Sequence, residues 1–378
     1  MELRKSLLLR ARNVTAVKED FTMEKAFLSN GYEYISALIE DARCRGLDRV
    51  TVDKDLIIDR EVRIPSDFTL ILDSCHLKMA DGCYSNMFVN ENHSTDIGRT
   101  VEGRDRNIRI IGKNGALLDG GKYNMLSEKT QLKNGLPPIW KNNLILFTNV
   151  DGFEVSGLSC HNQRWWALNF VYCANGKIFD IDFKACDIMV DENGVETHGL
   201  KHEKYADILV KNADGIDLRR GCHDILIENI SGFTEDDSVA LTGLFGRLEK
   251  EFAVEGLSSD IYNVRIRNIA TSAFCTNVRL LNQGGVRLHD IEIDNVTDMS
   301  KDCPYMEKGI YGVRIGDTHL YGSRHATSDE TYNISVRNVH SRAMYAAISL
   351  AGDMRDVVIE NVEALEGTRE LEDKRTSN

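Results

Sequence analysis

The chain has 378 residues, of which 42% are apolar, so it could form two average domains or one elongated domain around a large core. Its formal net charge of −13 argues against nucleic acid and anionic membranes as partners, because both repel a strongly acidic protein. No stretch approaches the roughly eighteen consecutive apolar residues of a membrane span.

The start of the chain and the cysteines predict a cytoplasmic protein. The first apolar run, residues 7–9, is too short for a signal-peptide core and ends at Arg10. Nine cysteines, an odd number with no CxxC pattern, indicate a reducing compartment without a disulfide framework.

A short phrase repeats along most of the chain, and each copy alternates β-branched and polar residues. This period of two is typical of half-buried strands. The copies are unevenly spaced, which favours coils of a solenoid with loops of different length. The last five copies end in Asn, which suits a coil corner. The copies begin at Asn107, Lys177, Asp224, Asn263, Asp290, Asn333 and Asp356.

A second phrase lies between copies of the first, so each coil contributes at least two strands. Stacking equivalent positions about 4.8 Å apart predicts an all-β, right-handed parallel β-helix. A β-sandwich would show a tighter rhythm and more hairpin turns. We expect one β-helix domain over residues 1–365 and a charged tail over 366–378. The copies of the second phrase start at Ile216, Val239, Val278, Val313 and Ile348.

Stacking the second phrase brings acidic side chains together. One predicted column holds Asp214, Asp237, Thr276 and Tyr311. Asp236 lies beside this column, so three carboxylates converge on one patch. Singly these acids suit turns, but like charges at this spacing raise one another's pKa, which is typical of functional sites.

A second column on the same face carries Asp217, Ala240, Arg279, Arg314 and Ser349. The two arginines could bind substrate or form a salt-bridged ladder. Lys201 and His202 lie in a loop leading to Asp214, where they could line a cleft or be solvated. No set of His, Cys and Asp has convincing metal spacing, and no phosphate-binding glycine loop is present, so we expect no metal or cofactor.

Several motifs, in order along nearly the whole chain, resemble those of polygalacturonases, the family 28 glycoside hydrolases. Residues 32–77 resemble the family's opening helix and first coils, which implies a short N-terminal helix within a capping region of about residues 1–60. The motif segments are Gly115-Ala-Leu-Leu-Asp-Gly-Gly, Asn212-Ala-Asp-Gly-Ile-Asp, Glu235-Asp-Asp-Ser-Val-Ala-Leu and Gly312-Val-Arg-Ile.

The resemblance implies an inverting glycosidase. It assigns Asp236 as the acid that protonates the leaving oxygen, and Asp214 and Asp237 as the pair that activates water. It also implies a gap of roughly 6.5–9.5 Å between acid and base. The substrate-binding residues that we expect are Asn212, Arg279, Arg314, Thr276, Tyr311, Lys201, His202 and Asp217.

Three positions depart from the family pattern. Ala213 replaces a Thr, Thr276 replaces the His that supports the acid, and Gly316 replaces the Lys that helps Arg314 to bind a uronate. These changes keep the acids but weaken the expectation of galacturonate as substrate.

We therefore expect an exo-acting glycosidase for short pectin-related or other plant or microbial oligosaccharides. The loops 91–107, 123–142, 187–205 and 243–260 are candidates for closing its cleft. A β-helix lyase or epimerase acting on uronides and a non-catalytic carbohydrate-binding β-helix are the alternatives. The sequence leaves the oligomeric state open, including a homo-oligomer.

Overall fold

A computed structural model describes residues 27–121, 141–163, 165–185, 188–190, 196–198, 214–283, 285–317 and 324–375. The chain passes back and forth between two large parallel sheets, with one or two strands at a time in the first sheet, and strands of these sheets pair with equivalent strands of the next coil. This confirms the predicted all-β parallel β-helix.

The first sheet has thirteen strands in the described part of the chain, and its later members carry the first repeated phrase. They are β1 Arg49–Val52, β2 Leu56–Ile58, β4 Thr69–Asp73, β5 His76–Met79, β7 Asp105–Lys113, β8 Leu117–Asp119, β10 Val150–His161, β12 Ala174–Lys184, β16 His223–Thr234, β18 Ile261–Ala273, β20 Leu288–Asp298, β22 Thr331–Ser341 and β24 Arg355–Ala364.

Within the described residues the second sheet has ten strands, and β15, β17, β19, β21 and β23 carry the second phrase. They are β3 Val62–Ile64, β6 Phe88–Asn90, β9 Ile145–Thr148, β11 Trp166–Val171, β15 Asp214–Arg219, β17 Val239–Gly243, β19 Thr276–Asn282, β21 Tyr311–Ile315, β23 Ala346–Gly352 and β25 Arg369–Arg375. A separate antiparallel pair is formed by β13 Ile188–Val190 and β14 Glu196–His198.

The repeated asparagines turn the long strands at the coil corners. Asn229, Asn268 and Asn295 have φ between 54° and 59°, a left-handed conformation that Asn tolerates better than most residues. Their side chains also bond from coil to coil, because Asn268 donates to Asn229 at 3.0 Å and Asn295 donates to Asn268 at 2.9 Å. The backbone conformation and the side-chain hydrogen bonds therefore both explain why asparagine recurs at this corner.

The interior of the solenoid is one continuous apolar core. In each coil the β-branched residues of both phrases point inward and stack on their equivalents, as Ile227, Ile266 and Ile293 do at 0% exposure. Because every coil buries its apolar side chains against two neighbours, an end coil needs a cover.

The two ends of the solenoid differ. Helix α1, Gly31–Cys44, packs Ile35 and Ile39 against the first coils and caps the N-terminal end. The prediction of a charged tail over 366–378 is wrong for residues 369–375, which form β25. Its backbone pairs with β23, and Leu371 continues the column of Ile348. Among the described residues no helix has the length and apolar character of a membrane span.

Candidate functional site

The site lies where β15 and β17 run side by side in the second sheet. Ile216 is in register with Val239 and Asp217 with Ala240. The backbone N–H of Asp237 donates to Asp214 Oδ1 at 3.0 Å, and that of Gly215 donates to the Asp237 carbonyl at 2.9 Å. Asp214 begins β15 and Asp237 lies just before β17, so the two acids lie at the start of neighbouring strands of one parallel sheet, as predicted.

Asp214, Asp236 and Asp237, called the acid trio below, form a tight group. One oxygen of each carboxylate lies within 4.8 Å of one oxygen of the other two. Asp214 is buried, whereas Asp236 is partly exposed. The gap of roughly 6.5–9.5 Å that is usual between acid and base in inverting glycosidases is not formed by these nearest oxygens.

Both predicted columns are confirmed by the strand register. Thr276 pairs with Tyr311, and Arg279 pairs with Ala240 on one side and with Arg314 on the other. The register also places Trp166 next to Asp214, one coil toward the N-terminus. The sequence interpretation overlooked this neighbour because the second phrase is not recognisable in β11.

Burial raises the pKa of the carboxylates at the centre of the site. The pKa of Asp214 is well above its ordinary value because of desolvation and the neighbouring charge of Asp217. Desolvation and the charge of Asp236 raise the pKa of Asp237 to about 8, and desolvation raises that of Asp217 to about 6. The cluster therefore retains protons near neutral pH, and Asp214 and Asp237 hold part of them.

Thr276 and Arg279 act in the opposite direction on Asp237. The charge of Arg279 and a hydrogen bond from Thr276 both favour the ionised form of this carboxylate and lower its pKa, although burial outweighs them. Thr276 is buried, and its hydrogen bond goes to Asp237.

Arg279 and Arg314 are joined by a buried acid. Asp317 is fully buried and bonds to both guanidinium groups, with Arg314 Nη2 at 2.5 Å from its Oδ1. Arg279 also donates to the Gly316 carbonyl at 3.0 Å. Of the two interpretations of these arginines, the structure shows the salt-bridged one.

Gly316 cannot be replaced by the lysine of the family motif without rearrangement. Its φ is +76°, and a Cβ at this position would lie 1.9 Å from the Ala351 carbonyl oxygen. The backbone conformation at this position thus favours glycine, and a longer side chain would displace the next coil.

A buried ion-pair network adjoins the trio. Arg219 Nη2 donates to Asp217 Oδ1 and its Nη1 donates to Glu249 Oε1, both at 3.0 Å. Trp166 covers the guanidinium at 4.0 Å. Asp217 was predicted to bind substrate, but its side chain is fully buried against Arg219. No spacing in the sequence relates Glu249 to this site.

Tyr311 is also largely buried, and its hydroxyl donates to Glu372 Oε2 in β25 at 2.9 Å. Tyr311 belongs to the first predicted column, but its hydroxyl is already hydrogen-bonded within the protein. Asn212, Lys201 and His202 lie outside the described residues.

The outer face of the second sheet is covered on the N-terminal side of the trio. The segment 244–260, called the covering loop below, contains helix α2, Arg247–Glu251. Its Phe252 packs among Val89, Leu146 and Val171 of β6, β9 and β11. Glu251 bonds to Arg99 at 2.9 Å, which joins the covering loop to the segment 91–107.

The oxygens of the acid trio are close enough to one another to bind a cation, although clustered acids are common without one. Shared protons and the charge of Arg279 are a second way to stabilise the same cluster. The geometry thus fits both a proton-sharing site and a cation site.

Neither a family model nor a curated protein matches the sequence, but 25 chains of solved structures match the fold. A mutant tailspike protein of E. coli bacteriophage HK620, in complex with a pentasaccharide, is 12% identical with a TM-score of 0.56; the match covers 93% of this chain and 62% of the tailspike.

Two further matches have enzyme names. A 1,3-α-1,4-β-D-galactose-4-sulfate-3,6-anhydro-D-galactose-2-sulfate 4 galactohydrolase is 14% identical (TM-score 0.54), with 93% of this chain and 87% of that chain covered. Polygalacturonase from Erwinia carotovora ssp. carotovora is 13% identical (TM-score 0.50), with 93% and 95% covered. The chain thus has the parallel β-helix fold of polygalacturonases, which its motifs resemble.

Proposed function

We propose that the protein is a glycoside hydrolase that cleaves an oligosaccharide at the acid trio. The observation that carries this proposal is the convergence of Asp214, Asp236 and Asp237 from adjacent coils, with raised pKa values at Asp214 and Asp237. Glycoside hydrolysis needs one carboxylic acid and one carboxylate near the same bond, and this cluster supplies both.

The roles are those that the resemblance to the family implies. Asp236 is partly exposed and donates the proton to the leaving oxygen. Asp214 and Asp237, linked by a hydrogen bond from the Asp237 backbone N–H to the Asp214 carboxylate, activate the attacking water in their ionised form. The resemblance to the family implies inversion at the anomeric carbon. Because the nearest oxygens of the trio are closer together than the usual gap in inverting enzymes, the anomeric configuration of the product has to be measured.

The charge of the site favours a neutral sugar at the point of cleavage. Six carboxylates at the site outnumber three arginines, and each arginine is bonded to at least one of them. Within the described residues, a uronate would therefore meet more negative than positive charge at the site. The carboxylates are Asp214, Asp217, Asp236, Asp237, Glu249 and Asp317.

The covering loop supports exo action. It buries the outer face of β6, β9 and β11, the direction in which an open groove would continue along the solenoid. A substrate chain that reaches the trio from the other side would end at this wall, so short units would leave from a chain end.

The test is a screen of aryl glycosides and of short pectic, fructan and rhamnose-containing oligosaccharides. We expect release of a reducing sugar by the wild type, and loss of it in Asp214→Asn, Asp236→Asn and Asp237→Asn. Asp182→Asn is the matched control, because Asp182 accepts a hydrogen bond on the first sheet, away from the trio. Products with a new double-bond absorbance would indicate a lyase instead. Binding without turnover would indicate a carbohydrate-binding module.

A further inference from the structure

The columns of the acid trio continue toward the N-terminal end of the solenoid with amides in place of acids. Asn142 and Asn143 precede β9 by the same offset by which Asp236 and Asp237 precede β17, and Asn86 has the position of Asn143 one coil earlier. The register between these coils runs through Phe88, Ile145, Leu168, Ile216 and Val239. Asparagine has nearly the shape of aspartate, but its amide is neutral and both donates and accepts hydrogen bonds.

Three amides are bonded into a row on the outer face of the second sheet. Asn143 donates from Nδ2 and from its backbone N–H to Asn86 Oδ1, at 2.8 and 3.0 Å. Asn169 of β11, which pairs with Asp217, has its Nδ2 3.5 Å from Asn143 Oδ1, at the limit of a hydrogen bond. Together with Asn142, these three residues are called the amide row below.

Several polar atoms of the amide row have no hydrogen-bond partner although they are buried. All four side chains are at most 1% exposed. Among the described residues, nothing bonds to Nδ2 or Oδ1 of Asn142, to Nδ2 of Asn86 or to Oδ1 of Asn169. By contrast, Asn90 in the same coil as Asn86 uses Nδ2 for two bonds and Oδ1 for one. Because buried polar atoms are nearly always paired, four unpaired atoms in one row indicate positions that bond to a ligand.

The amide row adjoins the end of the cleft that the covering loop closes. Trp166 is partly exposed and lies in the column between Asn143 and Asp214. Beyond Asn169 the second column continues as Leu146, which packs under the covering loop. This end of the cleft therefore combines neutral hydrogen-bonding groups with an indole ring and an apolar wall, which is the usual composition of a site for a small polar molecule.

We propose that the amide row is the subsite that binds the terminal, neutral sugar of the oligosaccharide through its hydroxyl groups. An amide donates and accepts as a hydroxyl does, whereas the carboxylate of a uronate only accepts and brings a charge that amides do not neutralise. The covering loop stops the chain at this sugar, and its bond to the next unit then points toward the acid trio. The place of this sugar in cleavage rests on the glycosidase function proposed above, whereas sugar binding itself does not.

The first test measures binding without turnover. D-galactose, D-glucose, L-rhamnose and D-galacturonate are titrated by ligand-observed NMR into the wild type, Asn142→Leu and Asn169→Leu. Leucine has about the size of asparagine but forms no side-chain hydrogen bond. We expect a neutral sugar to bind the wild type more tightly than galacturonate, and at least about tenfold more weakly to both variants. No binding of any neutral sugar, or unchanged affinity in either variant, would overturn the proposal.

The second test separates a binding role from a structural one by urea unfolding. Asn142→Leu should not lower the unfolding free energy, because this side chain has no protein partner to lose and leucine is buried more easily. Asn90→Leu is the matched control and should lower it clearly, because Asn90 bonds to Asp105 at 2.7 Å and to Thr148 at 2.8 and 2.9 Å. Equal losses in the two variants would mean that Asn142 serves the fold, and the proposal would be wrong.

Turnover assays distinguish this proposal from the proposed function. A wild type that binds a neutral sugar but cleaves no glycoside would refute the hydrolase and still support the subsite. A wild type that cleaves glycosides while Asn142→Leu and Asn169→Leu keep its sugar affinity would overturn the subsite alone. In an active enzyme both variants should raise KM more than they lower kcat, since the bonds are made to bound substrate and transition state alike.

Discussion

At the scale of single residues, the site is shaped by the pairing of its few positive charges. Arg219 binds Asp217 and Glu249, while Arg279 and Arg314 share Asp317. Because these arginines are bonded to other acids, they neutralise little of the negative charge of the trio. The repulsion among its carboxylates is therefore reduced mainly by bound protons.

Asp236→Asn should lower the rate of hydrolysis of glycosides with poor leaving groups by roughly 10²–10⁴-fold, since general acid catalysis typically contributes this much. Activated aryl glycosides should lose far less, because their leaving groups hardly need the proton. Asp214→Asn and Asp237→Asn should impair both substrate types alike, because both reactions need an activated water. Initial rates on paired substrates measure this. Equal impairment of both types by Asp236→Asn would mean that the roles are assigned wrongly.

Asp237→Asn should make the protein's stability less sensitive to pH. The pKa of Asp237 is raised to about 8 by burial and by Asp236, while the pKa of an aspartate in the unfolded chain is ~3.9. The folded state therefore retains a proton that the unfolded chain has lost. This stabilisation is complete below the unfolded pKa and is lost as the pH rises through about 8.

Urea unfolding of wild type and Asp237→Asn between pH 4 and 8 measures this effect. Asparagine has no proton to lose, so the free energy of unfolding of the variant should decrease less over this pH interval. Identical slopes for the two proteins would show that Asp237 titrates as an ordinary aspartate.

Asp317→Asn should weaken the fold and free its two arginines. Breaking a buried ion pair from one side costs about 3–5 kcal/mol, so we expect a clear drop in unfolding free energy. A folded variant should bind D-galacturonate better than the wild type does, with D-galactose as the neutral comparison. Calorimetric titration checks both sugars. Asp302→Asn, at an exposed acid, is the control. Unchanged galacturonate binding would mean that Asp317 does not mask the arginines.

At the scale of elements, β25 shows how a charged sequence can complete a solenoid. Its backbone extends the second sheet, although only Leu371 continues the apolar column. Asp373 follows the inward position of Leu350 and bonds to Arg375 at 2.6 Å. Charges at inward positions of an edge strand disfavour further pairing, so β25 suits the end of the sheet.

Deleting residues 368–378 should lower the unfolding free energy by about 2–4 kcal/mol, because it uncovers the buried Ile348 and Leu350 of β23. It also removes Glu372, the partner of the Tyr311 hydroxyl. Urea unfolding measures the loss, and deletion of residues 376–378 alone is the control. Equal stability of the two truncated proteins would show that β25 adds nothing to the fold.

At the scale of the whole molecule, closure of one side of the cleft and the surplus of acids should decide what is cleaved. We expect little or no turnover of long homogalacturonan and release of short units from the end of a neutral oligosaccharide. Chromatography over time shows the product sizes, and proton NMR of the first product shows its anomeric configuration. Early products of many lengths, ordinary turnover of homogalacturonan or retained configuration would each contradict one of these expectations.

By itself the sequence determined the coil, its corners and the alignment of the acids. Alternating β-branched residues, asparagines at left-handed positions and a repeated second phrase are local features, and stacking converts them directly into columns. Asp214 and Asp237 could therefore be placed on neighbouring coils without coordinates. The resemblance to the family supplied the roles of the acids, not their environment.

Only the tertiary structure decided which charges are available at the site. Asp317 joins Arg279 to Arg314, and Glu249 reaches Arg219 from a loop that shares no repeat with the sheet. These pairings depend on how turns and loops fold back over the coils, and no period in the sequence encodes that path. Burial, which sets the proton affinity of Asp214 and Asp237, likewise arises only when neighbouring coils and loops exclude water.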